Sequence, residues 1–122
     1  MTILEAIQQV DLQIPNRFSL EEKCRWLSEL DGLIFRELHQ LYEGSEGMQY
    51  LNSEADVSRT LLVQEPFAQE LYLRYLESRM DDAHGDTERY QNSRLLFQAA
   101  YMNYARWYNR NHRPLSRERR YQ

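Results

Sequence analysis

Cysteine, glycine and proline are scarce in this 122-residue chain, at one, four and three copies, and each scarcity narrows what the chain can be. A lone Cys24 cannot build a disulfide framework or a cysteine-ligated zinc site, and it suits a reducing compartment. So few glycines and prolines cannot supply the many tight turns of an all-β sandwich. Long apolar runs are missing too: Leu61-Leu62-Val63 is typical of the longest, against the roughly 20 residues of a membrane span. Met1-Thr2-Ile3-Leu4-Glu5 lacks the basic start and apolar core of a secretory signal. The glycines stand apart at 32, 44, 47 and 85, so no loop is rich enough in them to cradle a phosphate. No Glu-x-x-His pair occurs, which excludes the ferritin-like di-iron bundle, and there is no internal repeat or low-complexity segment. These absences predict a soluble, intracellular, single-domain chain without membrane contact.

What is present points to packing and contact. Hydrophobic residues make 42% and charged residues 28%, a globular balance rather than a disordered one. Nine tyrosines, two tryptophans and four phenylalanines are rings suited to surfaces that are dry on one side and polar at the tip. The charge is split. Residues 1–105 carry 9 basic and 18 acidic groups, or −9, and residues 106–122 carry 6 basic and 1 acidic, or +5, which together give the net −4. An acidic body with a basic end suits ordered assembly or a polyanionic neighbour.

Apolar spacing predicts helices. Ile3, Ala6, Ile7 and Val10 make one stripe, Thr2 and Glu5 have capping-box spacing, and Pro15 stops a helix over about 2–12. Ser19 and Glu22 repeat the box ahead of a second stripe: Leu20, Cys24, Leu27, Leu30, Ile34, Leu38 and Leu41. This predicts a helix that contains Gly32 and ends at Tyr42–Gly44, with Gly44 as a left-handed cap. Residues 44–64 break every period, and only Thr60-Leu61-Leu62-Val63 reads as extended. The segment is expected to be an arm with a short strand near 60–63, and the most favourable place for subunit contact. Pro66 suits the first turn of a third helix that runs to His84 and is closed by Gly85. Asp86 caps a fourth helix through Leu96, Phe97, Ala100, Tyr101, Tyr104, Ala105 and Tyr108, whose wide apolar face marks it as the expected central helix. Pro114 is expected to end order. The predicted fold is an all-α bundle of about four helices. It comprises a domain over 1–114 with the arm at 44–64, and a basic flexible tail over 115–122.

Little of this resembles catalytic machinery. Cys24 lies on the core stripe of its helix and reads as a buried structural thiol. Asp81 and His84 have metal-ligand spacing, but His84 and Gly85 at a helix end and Asp86 at the next start explain the cluster without a metal. His39 and His112 read as surface residues rather than general bases. No catalytic, cofactor-binding or metal-binding residue is assigned, and the chain is expected not to be an enzyme. The candidate partner-binding residues are Thr60, Leu61, Leu62 and Val63 in the arm, and Arg110, Arg113, Arg117, Arg119 and Arg120 at the basic end. Three readings of the arginines stay open: complement to a helix dipole, contact with an acidic protein surface, or contact with phosphate. No recognition helix or aromatic RNA-binding sheet supports sequence-specific reading of nucleic acid. The tyrosines at 90, 101, 104 and 108 suit core and rim better than a binding stripe, although nine are many for one small bundle to bury.

The C-terminal half also carries a resemblance. The runs Leu61-Leu62-Val63-Gln64-Glu65-Pro66-Phe67, Glu70-Leu71-Tyr72-Leu73-Arg74-Tyr75-Leu76-Glu77 and Gly85-Asp86-Thr87-Glu88-Arg89-Tyr90-Gln91-Asn92-Ser93 are similar to small proteins of tailed-phage and prophage structural operons. So are Phe97-Gln98-Ala99-Ala100-Tyr101, Tyr104, and the close Trp107-Tyr108-Asn109-Arg110-Asn111-His112-Arg113-Pro114. Ile3-Leu4-Glu5-Ala6-Ile7 and Trp26-Leu27-Ser28-Glu29-Leu30-Asp31-Gly32 extend the likeness over most of the chain. Those proteins look like head–tail connectors, or adaptors: small α-helical subunits that form a ring under the portal. Gln64 and Phe67 stand where the pattern has Pro and Tyr, and the basic tail after Pro114 is not part of it. The resemblance implies a virion protein, present in the host cytoplasm during assembly. Its implied partners are the portal protein, neighbouring copies of itself and the next tail-completion protein, with non-specific DNA contact open to the tail. The alternative is a small non-specific nucleic-acid-binding or regulatory protein that grips phosphate with the tail.

Overall fold

The computed structural model describes residues 1–45 and 57–115; residues 46–56 and 116–122 lie outside the described set. Among the described residues the chain is all-α, with α1 (Ile3–Gln13), α2 (Leu20–Glu37), α3 (Phe67–Ala83), α4 (Thr87–Asn111) and a 3₁₀ turn at His39–Leu41.

The helix starts follow local chemistry. Thr2 Oγ1 accepts the Glu5 N–H at 3.1 Å, and Glu5 Oε1 accepts the Thr2 N–H at 2.8 Å. Ser19 and Glu22 repeat the reciprocal pair at α2, and Asp86 Oδ1 accepts the Arg89 N–H at α4. Each cap satisfies donors that a helix end leaves open, worth about 1 kcal/mol. The stripe Ile3, Ala6, Ile7 and Val10 is buried, as are Cys24, Leu27, Leu30 and Ile34 of α2. Lys23 ties the corner between the two helices. Its buried Nζ donates to Asp11 Oδ1 at 2.7 Å and to Asn16 Oδ1 at 3.2 Å.

Three expectations are corrected. First, α2 ends at Glu37 rather than at Tyr42–Gly44. The backbone tightens into the 3₁₀ turn, and His39 takes the buried place expected of Leu41: His39 is 1% exposed and Leu41 50%. Gly44 does adopt a left-handed φ of +92°, but it closes the turn beyond the helix. Second, the central helix is α3, which packs against α1, α2 and α4. Ala68, Leu71, Tyr72, Leu76 and Met80 carry that burial, whereas α4 buries only Ser93, Tyr104 and Tyr108 fully. Of the broad apolar face expected of α4, Tyr104 and Tyr108 are buried, Phe97, Ala100, Tyr101 and Ala105 are half-buried, and Leu96 is exposed. Third, Thr60–Val63 is not a strand: Thr60 makes one isolated antiparallel bridge with Thr2. The Leu61 N–H still donates to the Met1 carbonyl, but the Leu62 and Val63 amides are taken by the side chains of Asp31 and Tyr72, so the ladder goes no further.

The chain after α4 stays attached to the body. Glu43 N–H donates to the Arg113 carbonyl at 2.8 Å, Leu115 N–H donates to the Leu41 carbonyl at 2.9 Å, and Tyr42 bridges Pro114. Order thus continues past the proline expected to end it.

Candidate partner-binding surfaces

The first candidate surface is residues 57–63, the described end of the segment expected to form an arm; residues 46–56 of that segment lie outside the described residues. Residues 57–63 cover the N-terminal end of α1: the Ile3 N–H donates to the Arg59 carbonyl at 3.0 Å and the Leu4 N–H to the Val57 carbonyl at 2.9 Å. These are two of the first-turn donors that no helix can satisfy internally. Leu61 N–H returns the contact to the Met1 carbonyl at 2.8 Å. Past that point the chain enters the core. Leu61 and Val63 are buried, Leu62 is half-buried, and only Thr60 of the four predicted contact residues is exposed. Leu61 and Val63 therefore anchor the arm and offer no surface to a partner.

A buried polar group fixes this anchor. Asp31 of α2 accepts the Tyr72 hydroxyl at Oδ1, 2.6 Å away, and the Leu62 N–H at Oδ2, 2.8 Å away. Tyr72 in turn accepts the Val63 N–H at 2.9 Å. Burial raises the Asp31 carboxyl from 3.8 to about 6, while the bonds from Tyr72 and Leu62 pull it back down. Burial first, and then the neighbouring Asp31, push the Tyr72 phenol well above its usual range. Both side chains are closed to solvent, so the pair is placed to hold chain rather than to meet a substrate. Asp31 shares the buried stripe of Leu27 and Ile34. An acid at that spacing is the signal by which the sequence could have revealed it.

The second candidate surface is the end of α4. Tyr108 lies between two imidazoles, stacked on His39 at 4.3 Å and 6° and on His112 at 3.7 Å and 10°. His39 Nε2 and the Tyr104 hydroxyl are hydrogen-bonded at 2.7 Å, and His112 Nδ1 lies 3.0 Å from the Tyr108 carbonyl. Burial, with His112 adding to it, lowers His39 from 6.5 to about 4, which keeps it neutral at pH 7. His39 is thus an inward-facing core residue, a correction to its expected surface place. His112, expected at the surface, is half-buried against the other face of the same ring. The expected core-and-rim role of the tyrosines is met at Tyr104 and Tyr108, which are buried, and at Tyr90 and Tyr101, which are half-buried.

This packing fixes the backbone that carries the exposed arginines. Arg106 and Arg110 stand on α4, and Arg113 follows on the segment pinned to Leu41 and Glu43. Arg117, Arg119 and Arg120 lie outside the described residues. Arg110 and Arg113 stand three residues apart at the end of α4, and Phe67, four residues beyond Val63, packs on Trp107 of the same helix end at 5.1 Å, so the chain leaving residues 57–63 runs to the end of α4 that carries these arginines.

Comparison with protein-family models, curated proteins and solved structures gives no match. No described helix is long and apolar enough to cross a membrane. At the other predicted cluster, Asp81 faces Arg89 at 3.9 Å and the His84 ring packs on Phe18 at 5.1 Å. Among the described residues no group of three or more His, Cys, Asp and Glu is gathered as a metal site would require.

Proposed function

We propose that this chain is a non-enzymatic structural subunit, a head–tail connector or adaptor of a tailed phage or prophage that docks on a portal as an oligomeric ring. The observation that carries the reading is the charge split, −9 over residues 1–105 and +5 over residues 106–122, on a compact helical body. An acidic body lining a lumen repels DNA and lets it slide. The basic end, rooted at Arg106, Arg110 and Arg113, and the exposed part of the arm are the contacts to the portal, to neighbouring copies and to the next tail-completion protein. The resemblance of the helix runs to connector proteins points the same way.

The test is mass-spectrometric stoichiometry of the chain in purified particles. A ring-like copy number, far below that of the capsid protein, is the expected result. Absence from particles that contain portal and capsid overturns the reading. DNA binding that falls steeply with salt and is lost when Arg117, Arg119 and Arg120 become Ala would then favour a phosphate-gripping protein.

A further inference from the structure

The side of α4 turned away from α3 carries a second apolar stripe. Leu95, Leu96 and Met102 are 63%, 47% and 51% exposed, and exposed Ala99 sits among them. Single exposed apolar residues are ordinary, but a contiguous group on one helix face marks a contact surface. The charges at the ends of the stripe indicate which partner fits. Glu88 and Arg110 are both exposed, and each stands eleven residues from Ala99, close to three helical turns. They therefore lie on the same face as Ala99, about 16 Å to either side of it.

We propose that the free chain forms a two-fold dimer through α4, with the helices of two copies antiparallel and crossing at Ala99. The small side chain lets the axes approach to about 8 Å. Leu96 and Met102 each stand three residues from the crossing, on opposite sides, so each meets the other's counterpart across the axis. Glu88 of one copy faces Arg110 of the second, twice by symmetry. A parallel pairing instead sets Glu88 on Glu88 and Arg110 on Arg110, which like-charge repulsion disfavours. The contact is closed, so it uses up the stripe without growing into a filament. It concerns the free chain and does not rest on the connector reading.

Sedimentation velocity on the full chain, over a wide concentration range, tests this. The expected result is a monomer–dimer equilibrium that Met102→Glu abolishes with the helical circular dichroism unchanged, and with the thermal melt unchanged at concentrations where the parent is monomeric, since the side chain is exposed. Glu88→Arg and Arg110→Glu each weaken dimerisation about tenfold, and the double variant returns to within about threefold of the parent. A monomer at every concentration, assembly beyond the dimer, a dimer indifferent to Met102→Glu, or a double variant no better than the singles overturns the proposal.

Discussion

Tyr72 donates its hydroxyl hydrogen to the buried carboxyl of Asp31 across 2.6 Å and accepts the Val63 N–H at 2.9 Å, so one phenol joins α2, α3 and the root of the arm. Forty-one residues separate the pair in the chain. The segment ahead of α3 makes one isolated bridge, Thr60 with Thr2, and then bends away from it. The Leu62 and Val63 amides are satisfied by these two side chains, which fixes the segment between residue 60 and α3 on the body.

Removing that fixed point is costly. Asp31→Ala leaves the Leu62 amide and the Tyr72 hydroxyl buried without an acceptor, and is expected to lower stability by about 3 kcal/mol. Tyr72→Phe frees only the Val63 N–H and one oxygen of Asp31, at about 2 kcal/mol. Urea unfolding of the two variants and their double measures both effects. The pair acts as a unit, so the double variant is expected to lose less than the sum of the singles.

Asp31 and His39 make opposite contributions to the pH dependence of stability. With its folded pKa raised from 3.8 to about 6, Asp31 binds more proton in the folded state, so its contribution falls as pH rises through that window. With its folded pKa lowered from 6.5 to about 4, His39 binds less, so its contribution rises over nearly the same window. Urea midpoints between pH 4 and 7 are expected to climb more steeply with pH in Asp31→Asn than in the parent. In His39→Phe they are expected to fall. Parallel curves for both variants would refute the opposition.

The anchor residues and the contact residue of the arm separate by their effects. Leu61 is buried, and Leu61→Ala is expected to cost about 3 kcal/mol in urea unfolding. Thr60→Asn, on the exposed side of the same segment, is expected to change stability by less than about 0.5 kcal/mol. An assembly defect in the Thr60 variant alone would mark a true contact.

Truncation separates tail from body. Ending the chain after Leu115 removes Arg117, Arg119 and Arg120 but keeps the His112 stack and the Leu115–Leu41 bond. It is expected to leave the melting temperature within a few degrees and to abolish assembly onto the portal. Ending it after Tyr108 also removes His112 from one face of the tyrosine and leaves only the His39 stack, and is expected to lower stability as well. Unchanged assembly after the Leu115 truncation would remove Arg117, Arg119 and Arg120 from the proposed contacts, and unchanged assembly after the Tyr108 truncation would remove Arg110 and Arg113 as well.

How much of this was legible in the sequence follows from distance along the chain. The starts of α1, α2 and α4 were legible because Thr2 with Glu5, Ser19 with Glu22 and Asp86 with Arg89 act within three residues. The stripes of α1 and α2 were legible because helical spacing puts their apolar side chains on one face whatever they later meet. The exposed arginines at the end of α4 were legible as charge. The rest depended on partners that only the fold brings together. His39 replaces Leu41 in the core because Tyr104 and Tyr108, more than sixty residues away, provide its bond and its stack. Thr60–Val63 fails to become a strand because Asp31 and Tyr72 take the amides of Leu62 and Val63. The wide apolar face of α4 was visible from its residues, but which part faces α3 and which faces water depends on the packing of other helices. The sequence by itself determined where helices begin and which side chains share a face, since those are matters of a few neighbouring residues. Tertiary structure alone decided that α3 is central, that an acid and an imidazole are buried, and that Leu95, Leu96 and Met102 remain outside. Burial is a property of what packs against a residue, and those partners lie far along the chain.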